Sequence, residues 1–245
     1  MKNKFLKVLG FNLFIGKISD LPIVTKEKKN LINTMNPRVF SLSRNNERLN
    51  KSFKETDYLV MDGQYFFLAP LLLNLKYVGK ISGTNVMNYY LEMANKNALK
   101  VFFMGTSESS LKDIENRIQR ELPNIEVSSF SPPFRKEFSD KENIEILDKI
   151  NSFQPNILIV GLTAPKQEIW AYENLNKIDA NIICTVGAAL DWFAGKTRQP
   201  EKLWVNLGLE WLIRTIRRPE ILKRYPDYLL FFWYLFLNII NIRKD

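Results

Sequence analysis

The stretch that decides the fold reads Ile157-Leu158-Ile159-Val160-Gly161-Leu162-Thr163-Ala164-Pro165-Lys166-Gln167-Glu168-Ile169-Trp170. A short run of β-branched and aliphatic residues ends at Gly161, passes through a tight polar turn and restarts as a helix with Gln167 and Glu168 in its first turn. In an open parallel sheet, ligands bind where the carboxyl ends of strands meet helix N-termini, because unpaired N–H groups there favour phosphate. The stretch therefore indicates a binding edge for a charged or polyhydroxylated ligand. Taken alone, it also fits an ordinary strand-turn-helix crossover.

The same alternation of apolar runs and helical patterns extends through most of the chain. The predicted strands are short and mostly non-alternating, as expected for strands covered on both faces; they are Leu31–Thr34, Tyr58–Met61, Lys100–Met104, Ile125–Phe130, Asn156–Gly161 and Asn181–Val186. The predicted helices are Pro37–Asn50, Gln64–Asn74, Asn85–Asn97, Ser109–Leu122, Asp140–Phe153 and Pro165–Asn176, with Ser109 and Asp140 as N-caps and Pro165 at a first helical position. Strands that alternate with helices predict parallel crossovers. The fold class is therefore α/β: a Rossmann-like, mostly parallel sheet with helices on both faces.

Composition limits the chemistry. The 245 residues include no histidine, which removes the usual general base and any histidine-ligated metal site and leaves carboxylates as the natural proton acceptors. The single cysteine, Cys184, lies within an apolar run and is predicted to be a small buried hydrophobic residue. One cysteine excludes an intrachain disulfide, which fits a reducing cytoplasm.

The positive charge is concentrated near the end of the chain. The net charge is +9, which suggests an anionic partner: nucleic acid, a membrane surface or a phosphorylated substrate. Residues 196–245 hold ten basic and five acidic residues and contribute +5 of this charge. We therefore predict an α/β catalytic domain over 1–195 and a basic, aromatic helical appendage over 196–245. At the other end, residues 1–16 resemble a signal peptide, but Asn12 interrupts the apolar run and no small-residue cleavage site follows, so a first strand is predicted.

The appendage ends in an apolar segment. Residues 228–240 are thirteen largely apolar and aromatic residues, followed by Arg243 and Lys244. This run is shorter than the roughly 20 residues that span a bilayer, and it suits an interfacial helix on the anionic inner leaflet, with Trp233 and Tyr234 at the headgroups. The alternative is a C-terminal helix docked on the protein's own core, and both descriptions can hold for different faces. A nucleic-acid partner is disfavoured, since the charge accompanies an apolar segment and not a stacking platform or recognition helix.

Other polar residues follow predicted strands. Thr34 and Asn36 follow the first, Asp62 follows the second, and Gly187 and Asp191 follow the last. Each has a structural alternative: Thr34 and Asn36 as turn formers, Asp62 as a helix N-cap, and Asp191 as a cap or a partner of Arg198. The turn at residues 80–85 is likewise ambiguous between a cap and a ligand contact.

In combination, these motifs resemble the WecG/TagA/CpsF family of bacterial glycosyltransferases, glycosyltransferase family 26. The resemblance spans residues 31–226 and is carried by Thr34-x-Asn36-Pro37, Asp62-Gly63, Ile81-Ser82-Gly83-Thr84, Gly161-Leu-Thr-Ala-Pro165-Lys-Gln167-Glu168-x-Trp170, Gly187-Ala188-x-x-Asp191-x-x-Ala194-Gly195 and Gly208-Leu-Glu210-Trp211-Leu-x-Arg214…Arg224-Tyr225. Two positions depart from the family pattern: Asn85 stands where aspartate is frequent, and Lys80 where arginine is frequent. The 80–85 turn is therefore left out of the predicted catalytic set.

The resemblance implies an inverting transfer of a sugar from a UDP-sugar to a polyprenyl-diphosphate-linked acceptor on the inner leaflet, in the synthesis of a surface polysaccharide. The donor is typically UDP-N-acetylmannosamine or its uronic acid, but another UDP-hexose such as UDP-glucose is an alternative, as is a non-catalytic UDP-sugar-binding protein. The resemblance also leaves a homo-oligomer open. It implies peripheral attachment to the cytoplasmic membrane.

Site roles follow from the resemblance and from the chemistry of inversion, which needs one base to take the acceptor hydroxyl proton. Asp62 matches the family's proposed base, and Thr34 and Asn36 would hold substrate hydroxyls. Since the chain has no Asp-x-Asp metal motif, no metal or cofactor is expected. The charge on the leaving UDP is then assigned to arginines and helix N–H groups.

The predicted arginines are Arg214, Arg217 and Arg224, for which a solvated or lipid-facing basic stripe is the alternative. The remaining predicted substrate-binding residues lie at strand ends and helix starts; they are Gly161, Pro165, Gln167, Glu168, Gly187 and Asp191. The alternative for Glu168 is an ordinary acid in the first turn of a helix, where the helix dipole favours its negative charge.

Overall fold

The computed structural model of the chain describes residues 4–25, 27–63, 65–196, 215–216 and 219–242. Within these residues the strands are β1 (Phe5–Val8), β2 (Phe11–Phe14), β3 (Asn30–Met35), β4 (Tyr58–Met61), β5 (Lys100–Gly105), β6 (Glu126–Phe130), β7 (Ile157–Gly161) and β8 (Ile182–Thr185). The helices are α1 (Pro37–Arg44), α2 (Glu47–Lys54), α3 (Leu68–Asn74), α4 (Gly83–Asn97), α5 (Glu108–Glu121), α6 (Asp140–Phe153), α7 (Lys166–Glu173), α8 (Ala189–Phe193) and α9 (Tyr225–Ile242).

The described strands form one sheet in the order β1-β2-β4-β3-β8-β7-β5-β6. Every neighbouring pair is parallel except β1 and β2, which form an antiparallel hairpin at the edge. The predicted α/β class and the mostly parallel sheet are therefore confirmed. The first sixteen residues contain two strands where one was predicted, because Leu9 and Gly10 adopt positive φ and turn the chain back on itself.

Helices cover both faces of the sheet, because successive residues of the central strands point to opposite sides. Ile182 and Cys184 face the helices α4 and α5, whereas Ile183, between them, faces α6 and α7. Cys184 is buried, as predicted. A third apolar cluster lies over β2 and β4 and is covered by α1, α2, α3 and α9.

Helix boundaries differ from prediction where polar side chains cap the backbone. The predicted helix 37–50 is two helices, because the Asn46 side chain accepts a hydrogen bond from Leu49 N at 3.0 Å and starts α2. Ser107 and Ser139, and not Ser109 and Asp140, are the N-caps of α5 and α6. Pro165 is the N-cap residue of α7 rather than its first helical residue.

The C-terminal helix α9 docks on the third cluster. Its Phe231 is fully buried, with its ring centroid 5.3 Å from that of Phe66 and 5.7 Å from that of Phe40. The opposite face of α9 exposes Trp233 and Phe236. The helix thus packs on the core with one face and presents aromatic side chains to the surroundings with the other. Among the described residues, no helix has both the length and the apolarity needed to cross a bilayer.

Residues 197–214, in the predicted appendage, lie outside the described residues, and the division of the chain into 1–195 and 196–245 stays a prediction. Residues 219–224 form a 3₁₀ helix directly before α9.

We predict that the docked and outer faces of α9 contribute differently to stability. Phe231→Ala removes a fully buried ring and is expected to lower the free energy of unfolding by about 3–5 kcal/mol. Phe232→Ala, one residue on and partly exposed, is expected to lower it by less than about 1 kcal/mol. Urea unfolding measures both variants, and equal losses would mean that α9 does not dock in this way.

Candidate active site

The carboxyl ends of β3 and β4 bring Thr34, Asn36 and Asp62 side by side. Thr34 pairs in register with Val60, and the backbone N–H of Asp62 donates to the carbonyl of Met35 at 2.7 Å. Asn36 is the N-cap of α1, since its Oδ1 accepts from Val39 N at 3.1 Å. The Oδ1 atom of Asn36 therefore has the structural role that was the alternative to substrate binding. A contact between the Asn36 side chain and substrate stays a prediction.

The Asp62 carboxylate is held at the edge of the sheet from two sides. It accepts from the backbone N–H of Gly63 and, at 3.3 Å, from the N–H of Gly83, the first residue of α4. Lys80 Nζ lies 3.9 Å from Asp62 Oδ1. The side chain of Asp62 is 25% exposed, so the carboxylate is both anchored and open to a reactant.

Asp62 is not the N-cap of α4, because Ser82 and Asn85 form that cap. The Ser82 hydroxyl accepts from Asn85 N, and the Asn85 side chain accepts from Ser82 N at 2.9 Å. Asn85, a departure from the family pattern, thus has a structural role as a reciprocal cap. The 80–85 turn nevertheless contacts Asp62 through Lys80 and Gly83, and these two contacts were missed in the sequence.

Two glycines let the turns at this edge approach closely. A Cβ atom on Gly83 would lie 2.7 Å from the carbonyl oxygen of Val186. A Cβ on Gly161 would lie 2.3 Å from Cδ1 of the fully buried Leu190. Gly83 therefore joins the Asp62 turn to the turn after β8, and Gly161 joins that turn to β7. Close packing against Leu190 therefore explains why glycine occupies position 161, which was predicted to bind substrate.

Gln167 and Glu168 occupy the start of α7, next to the same turn. Gln167 Oε1 accepts from the N–H of Gly187 at 3.0 Å, and Gln167 Nε2 donates to Glu168 Oε1 at 2.8 Å. Both side chains are buried. Because the carboxamide is fixed by these two bonds, its orientation is defined before any ligand binds. A direct contact of either side chain with the donor stays a prediction.

The Glu168 carboxylate has an unusual environment. Its Oε2 atom is buried and, among the described residues, has no hydrogen-bond partner. Burial raises the pKa of the Glu168 carboxyl to about 7, although the Gln167 amide and the positive charge of Arg38 act in the opposite direction. Glu168 therefore does more than favour a helix dipole: it is a desolvated acid beside the predicted substrate edge.

Arg38 connects this region to the C-terminal helix. Its Nε lies 3.4 Å from Oδ2 of Asp227, in the first turn of α9. The Ser41 hydroxyl donates to the backbone carbonyl of Asp227 at 2.5 Å. Neither Arg38 nor Asp227 stands out in the sequence, because this ion pair forms only when α9 folds back on α1.

Asp191 lies in the first turn of α8 and accepts a hydrogen bond from the hydroxyl of Thr106. Thr106 directly follows β5 and has φ +56°, a left-handed conformation that is uncommon for a β-branched residue. Such strain concentrates at functional sites. Thr106 was not predicted from the sequence, where its signal is its position after the strand Lys100–Gly105, at the same edge of the sheet.

The edge thus brings together most of the predicted residues. Contacts link Thr34, Asn36 and Asp62 to Gly187 through Gly83, and Gly187 to Gln167 and Glu168. Gly105 approaches Gly161, since a Cβ there would lie 2.6 Å from the Gly161 carbonyl oxygen, and it carries Thr106 and Asp191 to the same edge. Arg224 is exposed at the end of the 3₁₀ helix. Arg214 and Arg217 lie outside the described residues.

Comparison with known proteins identifies the family of the chain. The model of the glycosyl transferase WecG/TagA/CpsF family matches residues 9–245. The chain belongs to this family of glycosyltransferases. It is also similar to N-acetylglucosaminyldiphosphoundecaprenol N-acetyl-beta-D-mannosaminyltransferase of Staphylococcus aureus, from strains NCTC 8325 / PS 47 and COL. Each is 25% identical over 199 residues, covering 80% of this chain and 76% of the relative.

We predict that Glu168 makes stability depend on pH. Its folded pKa of about 7 is above the ordinary value of 4.5, so the folded state binds the extra proton between these values. Above about pH 7 the buried carboxyl is ionised, and the full cost of burying its charge lowers the free energy of unfolding. This cost disappears as the pH falls below about 4.5. Glu168→Gln is neutral throughout and keeps the acceptor for Gln167. Its stability advantage over the unmodified protein should therefore grow by up to about 3 kcal/mol between pH 5 and pH 8.

Urea unfolding at the two pH values gives this difference directly. A difference that is the same at pH 5 and pH 8 would show that the carboxylate is not desolvated.

Proposed function

We propose that the enzyme transfers N-acetylmannosamine from its UDP derivative to N-acetylglucosaminyl-diphosphoundecaprenol, with inversion at the anomeric carbon, in the synthesis of a surface polysaccharide. The named relatives support the transferred sugar and the lipid-linked acceptor. The observation that carries the proposal is the anchored, partly exposed carboxylate of Asp62 at the edge where helix N-termini and polar side chains meet.

In the proposed reaction, Asp62 removes the proton from the acceptor hydroxyl as that oxygen attacks the anomeric carbon of the donor. The bond between that carbon and the diphosphate oxygen breaks, and UDP leaves with the bonding electrons. The Gly63 and Gly83 N–H groups fix the carboxylate, which lowers the reorganisation needed for proton transfer. The chain offers no histidine for this step.

Donor recognition is assigned to the remaining residues of the edge. Thr34 and Asn36, next to Asp62, suit sugar hydroxyls, and Asp191, oriented by Thr106, suits a ribose or sugar hydroxyl. The Gly187 turn, Gly161 and Pro165 form the backbone wall, and Gln167 and Glu168 lie behind that turn. Arg214, Arg217 and Arg224 are proposed to neutralise the charge on the leaving diphosphate without a metal ion.

The donor sugar is the least constrained part of the proposal. The three donors, UDP-N-acetylmannosamine, its uronic acid and UDP-glucose, share UDP and differ only in the hexose: the uronic acid differs from N-acetylmannosamine at C6, and glucose differs from it in the group and configuration at C2. Mass spectrometry of the products formed from a panel of these donors distinguishes them.

We further propose that the enzyme attaches peripherally to the inner face of the cytoplasmic membrane through α9. The side chain of Trp233 is 55% exposed and stacks on Phe236, with ring centroids 5.9 Å apart. Exposed aromatic side chains on a helix that has no charged residue between 228 and 242 suit the interfacial region of a bilayer.

We predict that Asp62→Asn lowers the transfer rate by about 10²–10⁴-fold, because asparagine keeps an acceptor for Gly83 N but cannot take the proton. The matched control is Asp57→Asn. Asp57 precedes the same strand at its other end, where its carboxylate accepts from Leu31 N at 2.9 Å. Folded Asp57→Asn protein should retain the transfer rate. Near-normal turnover by Asp62→Asn would remove Asp62 as the base.

We predict that Trp233→Ser combined with Phe236→Ser weakens flotation with anionic vesicles, because it removes the exposed aromatic side chains of α9. Deleting residues 228–245 is a poorer test, because it also removes the buried Phe231 and Leu235 and opens the core. The double variant changes only exposed side chains, so its thermal unfolding should be close to normal. Undiminished flotation of this variant would exclude α9 as the membrane contact.

A further inference from the structure

The end of α3 and the residues after it expose large apolar side chains. Leu75 is 90% exposed and Tyr77 is 73% exposed, and Leu72, one turn before, is also exposed. Leu75 is the C-cap residue of α3 and has φ +50°, in the left-handed region. Glycine or asparagine is the favourable residue there, because a side chain crowds the backbone. A leucine at this position combines an unfavourable backbone with a side chain in water, so folding does not account for it.

The start of α3 adjoins α9. The two helices pack against each other. The ring centroid of Tyr65, just before α3, is 6.0 Å from that of Phe232 on α9, and that of Phe67 is 6.4 Å from that of Tyr77. The helix α3 therefore lies beside α9, and Tyr77 lies beside the start of α3.

The charged residues within the two segments that form this surface are all basic. Residues 65–81 contain Lys76 and Lys80 and no acidic residue, and residues 228–242 contain no charged residue. A third cation, Lys7, is next to the end of α3, because Asn74 Nδ2 donates to its carbonyl at 3.4 Å. An apolar surface edged by lysines is complementary to an anionic lipid surface.

Only a few residues of the chain connect this surface to the carboxylate of Asp62, the proposed base. Val78 is buried among the residues under α9, and Ile81 N donates to the carbonyl of Met61 at 2.8 Å. Between them, Lys80 approaches Asp62 to 3.9 Å. Lys80 is five positions after Leu75 in the chain, so their Cα atoms are at most about 18 Å apart.

We propose that residues 72–77 form a second membrane-contact element, which enters an anionic bilayer beside α9 and holds the sheet edge with Asp62 at the lipid surface. This inference rests on the proposed function, because an enzyme whose acceptor is linked to a lipid must reach that acceptor at the membrane surface. It extends the membrane contact from the C-terminal helix to the catalytic domain itself.

The direct test places a fluorescent probe on the element. Cys184 is fully buried, so Leu75→Cys offers a single accessible thiol for an environment-sensitive dye. With phosphatidylglycerol vesicles, the emission should shift to the blue and be quenched by a quencher attached to lipid acyl chains. The matched control is Ile144→Cys, which is 60% exposed on α6, a helix that packs against β6 at the far end of the sheet. Its emission should not change.

A dye at position 75 that stays in water when the vesicles bind would overturn the inference. So would a blue shift that depends on protein concentration without vesicles, since that result identifies a second copy of the chain as the occupant. Neither readout requires transfer, so the failure of the proposed reaction is distinguishable from the failure of this inference.

A second variant separates lipid contact from folding and from chemistry. Leu75→Asn suits the left-handed backbone, so the fold is kept. Its partitioning onto phosphatidylglycerol vesicles should weaken about tenfold or more, the equivalent of losing one buried leucine. Transfer to an acceptor in vesicles should fall, whereas transfer to a short-chain acceptor in water should not. Equal losses on both acceptors would place the element in catalysis and contradict a lipid role.

Discussion

Close backbone contact between neighbouring turns is the constraint on which the candidate active site depends. Gly83 at the start of α4 lies against the backbone of Val186, and Gly161 at the end of β7 lies against Leu190. Because neither position has room for a Cβ, the turns after β4, β7 and β8 approach one another more closely than side chains would allow. This closeness lets one N–H of Gly83 reach Asp62 and one amide of Gln167 reach Gly187. Residues that are distant in the chain therefore share one edge of the sheet.

A second feature of the site is polar and buried. The Gly187 N–H, the Gln167 carboxamide and the Glu168 carboxylate form a continuous hydrogen-bonded series, and Arg38 beyond them pairs with Asp227 on α9. Such groups cost stability when they are desolvated, and they are found where an orientation must be maintained. The series lies between the proposed donor edge and the helix that is proposed to contact lipid. The charge of Arg38, which acts on Glu168 and pairs with Asp227, adds an electrostatic link between the site and the C-terminal helix to the apolar docking through Phe231.

Much of this architecture could be predicted from the sequence, for identifiable reasons. The strands at Tyr58–Met61 and Ile157–Gly161 are short β-branched runs between turns, and burial on both faces leaves a strong apolar signal. The break between α1 and α2 was missed, because it depends on which asparagine caps a helix. The contacts of Thr106 with Asp191 and of Arg38 with Asp227 were missed because they join segments 85 or more residues apart. Local patterns carry no information about such pairs.

The roles of the two residues that depart from the family pattern can be seen only in the structure. In the sequence, Lys80 and Asn85 differ from the residues that are frequent in the family, and this argued against a catalytic role for the turn at residues 80–85. In the structure, Asn85 caps α4 with Ser82, and Lys80 faces Asp62.

The most direct measurement of the central claim is a crystal structure of the unmodified enzyme with bound UDP-N-acetylmannosamine. The account predicts that the sugar diphosphate lies along the Gly187 turn, between Asp62 and Asp191, with the anomeric carbon facing the Asp62 side of the edge. A donor bound at the opposite edge of the sheet, among residues such as Asn156 and Asn181 that precede β7 and β8, would contradict it.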